Sequence, residues 1–483
     1  MFMSHPRRTV GIDGLPLEIL LEVAELTSLQ DRVRLAQVSR IFRTIGLTPH
    51  LWGDLRSWPA MRPSTMAHLV ARALPSPVPL RLRVECTRNE DVILYAAVLC
   101  FAMPRIKDLY LAMRCNWNEQ MAYALQQSAP LLESAHIQSA ADVEFGFPIF
   151  RGVAPMLQTL WLDAIRFRVH QPVLDTVRNF GTADFPVIAG STPGQAIEML
   201  YLIDFESTTS PRPLFNLLTY AHLTNLRHLY VEFETDINSS ISSALAGHLI
   251  PSCPHLQSMG FTNAPGDLSR FFLEALPTCT TVLFDSIDSG TQLQILATTG
   301  TVFTLTHCDI IIDYLIDNSR VTDNVHEIVL GRSTLVHWSG PEVADFVDSV
   351  AELRTLSLVI GVPPETFPEV SNLLDPECWD EQRLYVPDVR ELRITAPESF
   401  TVSASAIEGF VQNVLQHPDK LTTRSYYGFD IQYEDGQIHP AANPHYRWAH
   451  ESRLPKLTRY LWSLRHNGYL DLDADRIFGF PTL

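Results

Sequence analysis

At 483 residues the chain is longer than one simple core fills, which predicts two or more domains or one extended array. Hydrophobic residues make up 46% and charged residues 19%, the balance of a folded chain, and no run approaches the ~18–20 apolar residues of a membrane span. The net charge of −18 is concentrated: residues 1–60 hold seven basic and six acidic side chains, and residues 80–420 hold 20 basic and 41 acidic, which speaks against nucleic acid as a partner.

The first elements lie in residues 11–55. Pro16 sits at a helix start, where its missing N–H costs nothing, and Leu17, Ile19, Leu20, Val23, Ala24 and Leu26 follow at helical spacing. A second helical stretch runs from Asp31, a candidate N-cap, through Val33, Leu35, Val38, Ile41, Phe42 and Ile45. A module of this size has little room for a private core, yet both helices carry broad apolar surfaces. Two readings follow: a cap for the array behind it, or a docking surface for another helical protein.

Behind a short helix (Ser64–Leu74) and a proline-rich bend (Pro75–Pro79) the chain repeats itself. Ile106-x-x-Leu109-x-Leu111 returns as Leu157-x-x-Leu160-x-Leu162, Ile197-x-x-Leu200-x-Leu202 and Leu226-x-x-Leu229-x-Val231. Further copies are Leu256-x-x-Met259-x-Phe261, Val325-x-x-Ile328-x-Leu330, Leu353-x-x-Leu356-x-Leu358 and Val389-x-x-Leu392-x-Ile394. Weaker ones fall at Leu132–Ile137, Val282–Phe284 and Phe303–Leu305, with Leu80-Arg81-Leu82-Arg83-Val84 as the candidate first unit. Each copy ends in alternating apolar residues, a strand with one buried face. Helical pieces lie between copies: Asn118–Gln127, Ser239–Leu249, Asp267–Leu276, Pro341–Ala351 and Ala404–Leu415.

The middle apolar positions step by 26, 25, 40, 29 and 30 residues from 109 to 259, mostly near the period of a leucine-rich repeat. The long step spans Phe180–Gly194, whose glycines and prolines read as an inserted loop. The fold expected is an α/β solenoid, a degenerate leucine-rich repeat array with parallel strands on its concave face and helices outside. The domain boundaries read 1–60 (helical docking module), 61–79 (short helix and connector), 80–420 (repeats) and 421–483 (C-terminal cap or tail).

In such a repeat the residue between the last two apolar positions points to the concave face. That column reads Tyr110, His136, Trp161, Tyr201 and Tyr230, then Gly260, with Asp163, Glu232 and Asp285 further out and Asp108 and His228 on the other flank. An aromatic and acidic strip of this kind is a candidate surface for a protein target, a basic one being favoured. The alternative is that aromatic residues simply suit strand positions, or that the C-terminal tail covers them.

Nucleotide and zinc-protease motifs are missing from the sequence, and Gly190-Ser191-Thr192-Pro193-Gly194 lacks the serine position of a nucleophile elbow. His439, His445 and His450 have no acidic or cysteine partner at metal spacing, and Asp471-x-Asp473-x-Asp475 runs into Arg476 where a calcium loop needs glycine. No cofactor and no catalytic activity are expected. Cys86, Cys100, Cys115, Cys253, Cys279, Cys308 and Cys378 are odd in number and dispersed, read as free thiols in a reducing compartment, cytoplasm or nucleus. The N-terminal Arg7 and Arg8 precede no apolar run, so no secretory signal is expected. The tail after residue 421 is rich in tyrosine, histidine and proline, with a helix predicted over Leu457–His466.

Leu15-Pro16-Leu17-Glu18-Ile19-Leu20-Leu21-Glu22-Val23, then Asp31-x-x-x-Leu35-x-x-Val38-Ser39-Arg40-x-Phe42-Arg43, then Leu51-Trp52-x-x-Leu55, closely resembles the F-box motif, in a layout similar to fungal F-box proteins. Gln30 and Arg32 stand where that family commonly has aliphatic residues. The resemblance implies binding to the Skp-family adaptor of an SCF (cullin–RING) ubiquitin ligase. Leu15, Pro16, Ile19, Leu20 and Val23 would lie in or beside that interface, and Leu35, Val38 and Phe42 would contact the adaptor or hold the helices together. The repeats would then receive a protein substrate. A repeat scaffold working outside any ligase is the alternative.

Overall fold

The computed structural model describes residues 15–57, 61–169, 171–182, 196–205, 225–233, 256–264, 269, 273, 276–287, 290–306, 312–331, 340–359, 374–375, 379, 383–386, 388–416 and 420–440. The chain divides into two compact units that meet in sequence between Ile197 and Glu198. The predicted helices Ser239–Leu249 and Leu457–His466, and most of Asp267–Leu276, fall outside the described residues.

The first unit opens with three short helices, α1 (Leu17–Leu26), α2 (Leu29–Val38) and α3 (Arg40–Ile45). The second helical stretch expected from the sequence is therefore two helices. Ser39 breaks it, and its hydroxyl caps α3 by accepting the Phe42 N–H. The cap of α2 is Ser28 rather than Asp31. Ser28 Oγ accepts the Asp31 N–H and donates to the Asp31 carboxylate at 2.8 Å, which holds that carboxyl below its ordinary range. Both residue types cap well, so sequence alone did not separate them.

Arg32 explains its own departure from the aliphatic pattern. Its guanidinium donates to the carbonyls of Ala24 (2.8 Å), Thr27 (3.0 Å), Glu25 (2.8 Å) and Leu51 (2.6 Å). Three of these are carbonyls at the end of α1, where the regular helix hydrogen bonding runs out and a cation meets the negative end of the helix dipole. Behind this tie lies Trp52, fully buried, its indole N–H on the Gly46 carbonyl at 3.0 Å. After it, β1 (Asp54–Arg56) pairs in parallel with β2 (Leu80–Cys86), while α4 (Pro63–Ala73) lies between them in sequence. Arg105 fixes the proline-rich bend by donating to the carbonyls of Leu74 and Val78.

From β2 onward the expected stack forms. β3 (Ile106–Met113), β4 (Ser134–Phe145), β5 (Thr159–Phe167) and β6 (Asn179–Thr182) add in order, every pairing parallel, with α5 (Val92–Ala102) and α6 (Glu119–Leu125) in the connections. Register puts Leu55, Leu82, Leu109, Ala135, Leu160 and Phe180 in one buried row, and Val84, Leu111, Ile137 and Leu162 in the next. Each such side chain withdrawn from water contributes about 1.5–3 kcal/mol, and only its neighbours on adjacent strands can withdraw it. β6 corrects the start of the reading of Phe180–Gly194 as an inserted loop: Val177-x-x-Phe180-x-Thr182 is a further repeat, hidden because a threonine holds its last inward position, while residues 183–194 lie outside the described residues.

The second unit repeats the design. β7 (Met199–Phe205), β8 (His228–Phe233) and β9 (Ser258–Thr262) are parallel. β10 (Cys279–Ile287) and β12 (Val302–Thr306) are the two weak copies, but they flank β11 (Gly290–Ala297), which runs antiparallel to both. Its Leu293 and Ile295 alternate into the core, so a strand in the wrong direction still extends the apolar rows. β13 (Glu327–Leu330), β14 (Thr355–Val359) and β16 (Glu391–Ser403) continue in parallel beyond β10, with α7 (Ile312–Ile316), α8 (Ser319–Thr322) and α9 (Gly340–Ser349) in the connections. A separate short pair joins β15 (Leu384–Tyr385) to β17 (Leu415–Gln416), and α10 (Ala404–Asn413) leads to β18 (Thr423–Gln432), with β19 (Ile438–Pro440) antiparallel to it. In β18, register sets the exposed Arg424 and the half-buried Tyr426 opposite Leu392 and Ile394, and Arg424 pairs with Glu408 of α10.

Arg32→Met keeps the aliphatic stem and removes four hydrogen bonds, and it is expected to cost about 1–3 kcal/mol. Equilibrium denaturation of the full chain measures it. An unchanged midpoint would mean that water serves the freed carbonyls equally well.

Candidate functional site

Two surfaces carry functional potential, and each is built by the geometry beneath it. The first lies on the three N-terminal helices. α1 turns Leu20 and Ala24 inward, towards Phe42 and Ile45 of α3, and all four are buried. That narrow stripe is the module's own core. Leu15, Pro16, Leu17 and Ile19 remain exposed, Leu26 is 84% exposed and Val38 is 73% exposed. No residue of α2 is fully buried, and Leu35, like Val23 of α1, is half-buried. The eight residues singled out for adaptor contact thus separate into two sets. Leu20 and Phe42 hold the helices together, and Leu15, Pro16, Ile19 and Val38, flanked by Val23 and Leu35, face outward. Exposed aliphatic side chains in this number on so small a module are what a docking face offers.

The second surface is the sheet face opposite the buried rows. In the first unit, register aligns Arg56, Arg83, Tyr110, His136, Trp161 and Gly181 across six strands. The Arg83 guanidinium sits 4.5 Å from the Tyr110 ring centroid, a cation–π contact. Tyr110 meets His136 edge-on at 4.9 Å, His136 meets Trp161 at 6.1 Å, and the Trp161 indole covers Gly181 so closely that a Cβ there would lie 2.4 Å from the ring. Tyr110, His136 and Trp161 therefore take the face expected of them but are only 6%, 6% and 7% exposed, because each ring shields the next. Burial, with Arg83 adding to it, pulls the His136 imidazole down to about 3 and keeps it neutral. Burial also raises Tyr110, and it raises Asp108 against the opposing pull of Arg81 at 3.1 Å.

The next outward row is Glu85, Ala112, Gln138 and Asp163, where the Gln138 amide donates to Asp163 Oδ2 at 2.6 Å and Tyr110 Oη donates to Gln138 Oε1 at 3.4 Å. Arg56, Arg83 and Gln138 escaped the sequence reading. The alternation Arg81-Leu82-Arg83 already placed Arg83 in the column, so that signal was available.

The second unit holds a matching arrangement. Tyr201 and Tyr230 lie 6.0 Å apart between ring centroids, and Tyr230 covers Gly260, where a Cβ would come within 2.7 Å of the ring. Tyr201 Oη donates to Glu232 Oε2 at 2.9 Å, and Ser258 Oγ meets both Tyr230 Oη (3.0 Å) and His228 Nδ1 (2.7 Å). These two tyrosines are half-buried and more open than the rings of the first unit. Asp285, named in the same strip, has no described side-chain environment. Further along, Arg393 bridges Glu327 and Glu391, and burial raises the Glu327 carboxyl despite that partner. Among the described residues, no group of three or more His, Cys, Asp or Glu is placed to hold a metal ion, and no helix is long and apolar enough to cross a membrane.

The F-box-like family matches residues 12–56, the span from the approach to α1 through β1. Residues 12–56 are an F-box-like domain. No curated protein matches the chain. Among solved structures, the leucine-rich repeat-containing protein LegL7 from Legionella pneumophila is similar over 71% of this chain and 96% of its own, at 10% identity and a TM-score of 0.32. The strands and rows described above make the described residues that follow a leucine-rich-repeat-like α/β fold.

Two outcomes test the ladder. Gly181→Ala forces the Trp161 ring off its seat and is expected to cost about 1–3 kcal/mol in chemical denaturation, where an untouched midpoint would contradict the contact. His136 sets a pH dependence. The unfolded chain protonates this imidazole near its ordinary 6.5 and the folded chain only at about 3, so its contribution is complete above pH 6.5 and is lost as pH falls towards 3. By pH 5 the loss is about 2 kcal/mol, absent in His136→Phe, and parallel acid profiles for the two chains would contradict a neutral buried imidazole.

Proposed function

We propose that the chain is the substrate-recognition adaptor of an SCF (cullin–RING) ubiquitin ligase. In this reading the F-box-like domain binds the Skp-family adaptor, which links it to the cullin, through Leu15, Pro16, Ile19 and Val38 with Leu20, Val23, Leu35 and Phe42 behind or beside them. The repeats hold a protein target on the face of Tyr110, His136 and Trp161, flanked by Asp163, in the first unit, or on that of Tyr201 and Tyr230, flanked by Glu232, in the second. The chain itself performs no catalysis and carries no cofactor. It raises the local concentration of the target at another protein's active site, in the cytoplasm or nucleus.

The observation that carries this reading is the excess of exposed aliphatic surface on an F-box-like domain whose own core is complete without it. The acidic surplus between residues 80 and 420 favours a basic target. Because Tyr110 and Trp161 are packed into their ladder, a target would meet the half-buried Asp163 in the first unit, or Tyr201, Tyr230 and Glu232 in the second, with least rearrangement.

Co-purification with a Skp-family adaptor and cullin tests the proposal. The intact chain is expected to retain both, and Leu15→Ala/Pro16→Ala, at exposed positions that leave the helical core intact, is expected to lose at least about tenfold in adaptor affinity, ~1.4 kcal/mol. Failure of the intact chain to retain the adaptor would leave a repeat scaffold that works outside any ligase.

A further inference from the structure

Cys86 and Cys115 are 29 residues apart, and their sulfurs lie 3.6 Å from one another. Cys86 closes β2 and is buried, and Cys115 follows β3 in a half-buried loop. The approach is held from both sides of Cys115. The Arg114 N–H donates to the Cys86 carbonyl at 2.8 Å, and the Asn116 N–H donates to Asn89 Oδ1 at 2.9 Å. The fold has therefore already supplied the loop closure that brings these two thiols together.

We propose that Cys86 and Cys115 form an oxidative modification site, which a small-molecule disulfide converts reversibly into a disulfide joining the first two repeats. The thiolate of the more accessible Cys115 attacks the small disulfide, bonds to one sulfur and releases one thiol. Cys86 then loses its proton and attacks the Cys115 sulfur, which expels the second thiol. Two cysteine thiols are oxidised by two electrons, and one disulfide is reduced to two thiols. Forming the bond shortens the 3.6 Å sulfur separation to the ~2.05 Å of an S–S bond. Cys86 is the resolving thiol. Burial first, and the Cys115 contact second, push its thiol up to about 12 in the reduced pair.

The bond has a structural target. The loop that carries Cys115 also carries Trp117, whose indole N–H donates to Ser139 Oγ at 2.8 Å and whose ring meets Phe145 edge-on at 5.2 Å. Oxidation would tether that loop at the rim of the sheet face.

The test exposes the reduced full-length chain to oxidised glutathione, alkylates remaining thiols and maps the peptides by mass. The expected product is a cross-linked Cys86–Cys115 peptide, two hydrogens lighter than its parts, that dithiothreitol restores. Cys86→Ser should stop at a glutathione adduct on Cys115, and Cys115→Ser should leave Cys86 unmodified. A wild-type chain whose Cys115 keeps its adduct without cross-linking would overturn the proposal. So would reaction at the half-buried Cys100 with neither member of the pair touched.

Discussion

Leu82, Leu109 and Leu160 can leave water only by lying side by side. A single strand with alternating leucines exposes one apolar edge that nothing in its own repeat can cover, so each repeat depends on the next for its core. This constraint sets the register, and the register sets everything else. Once Leu109 is opposite Leu82 and Ala135, the residue after it must be opposite Arg83 and His136. The ring ladder on the far face is thus a by-product of the buried rows, built without any separate instruction.

The ladder also shows how far pattern reading reaches. Apolar spacing identified most of the strands, and the intervening positions identified which side chains share the opposite face. Exposure was another matter. Whether Trp161 stands in solvent or lies flat depends on its neighbour being Gly181, and that adjacency exists only once β6 is recognised as a strand. β6 was missed because Thr182 replaces an aliphatic residue beside a glycine- and proline-rich stretch. β11 was missed because direction is a property of topology, and Leu293 and Ile295 fit the core rows in either sense. The two cysteines that meet at the end of β2 are remote in sequence and could be paired only through strand register.

The helical front end divides its apolar residues by a similar logic. Periodicity marked Ile19, Leu20, Val23, Leu35, Val38 and Phe42 alike, since all of them recur at helical spacing. Packing separates them: α1 and α3 close over Leu20 and Phe42, and the geometry leaves no third element to cover Leu17, Ile19 or Val38 among the described residues. Arg32 pins this arrangement by reaching from α2 to the end of α1 and on to Leu51, a task that an aliphatic side chain at that position could not perform.

The F-box-like domain and the sheet share an element. Its last residues are β1, which lies in parallel against β2, with the Arg81 N–H on the Gly53 carbonyl at 2.7 Å and the Ser57 N–H on the Arg83 carbonyl at 2.9 Å. A flexible tether would let whatever grips α1 sweep through a wide volume relative to the first repeats. Backbone hydrogen bonds give a fixed bearing instead, so that turning the helices would turn the first strands with them. The orientation offered to anything held on the first unit is then written into the backbone, as the pitch of a propeller blade is cast into its hub.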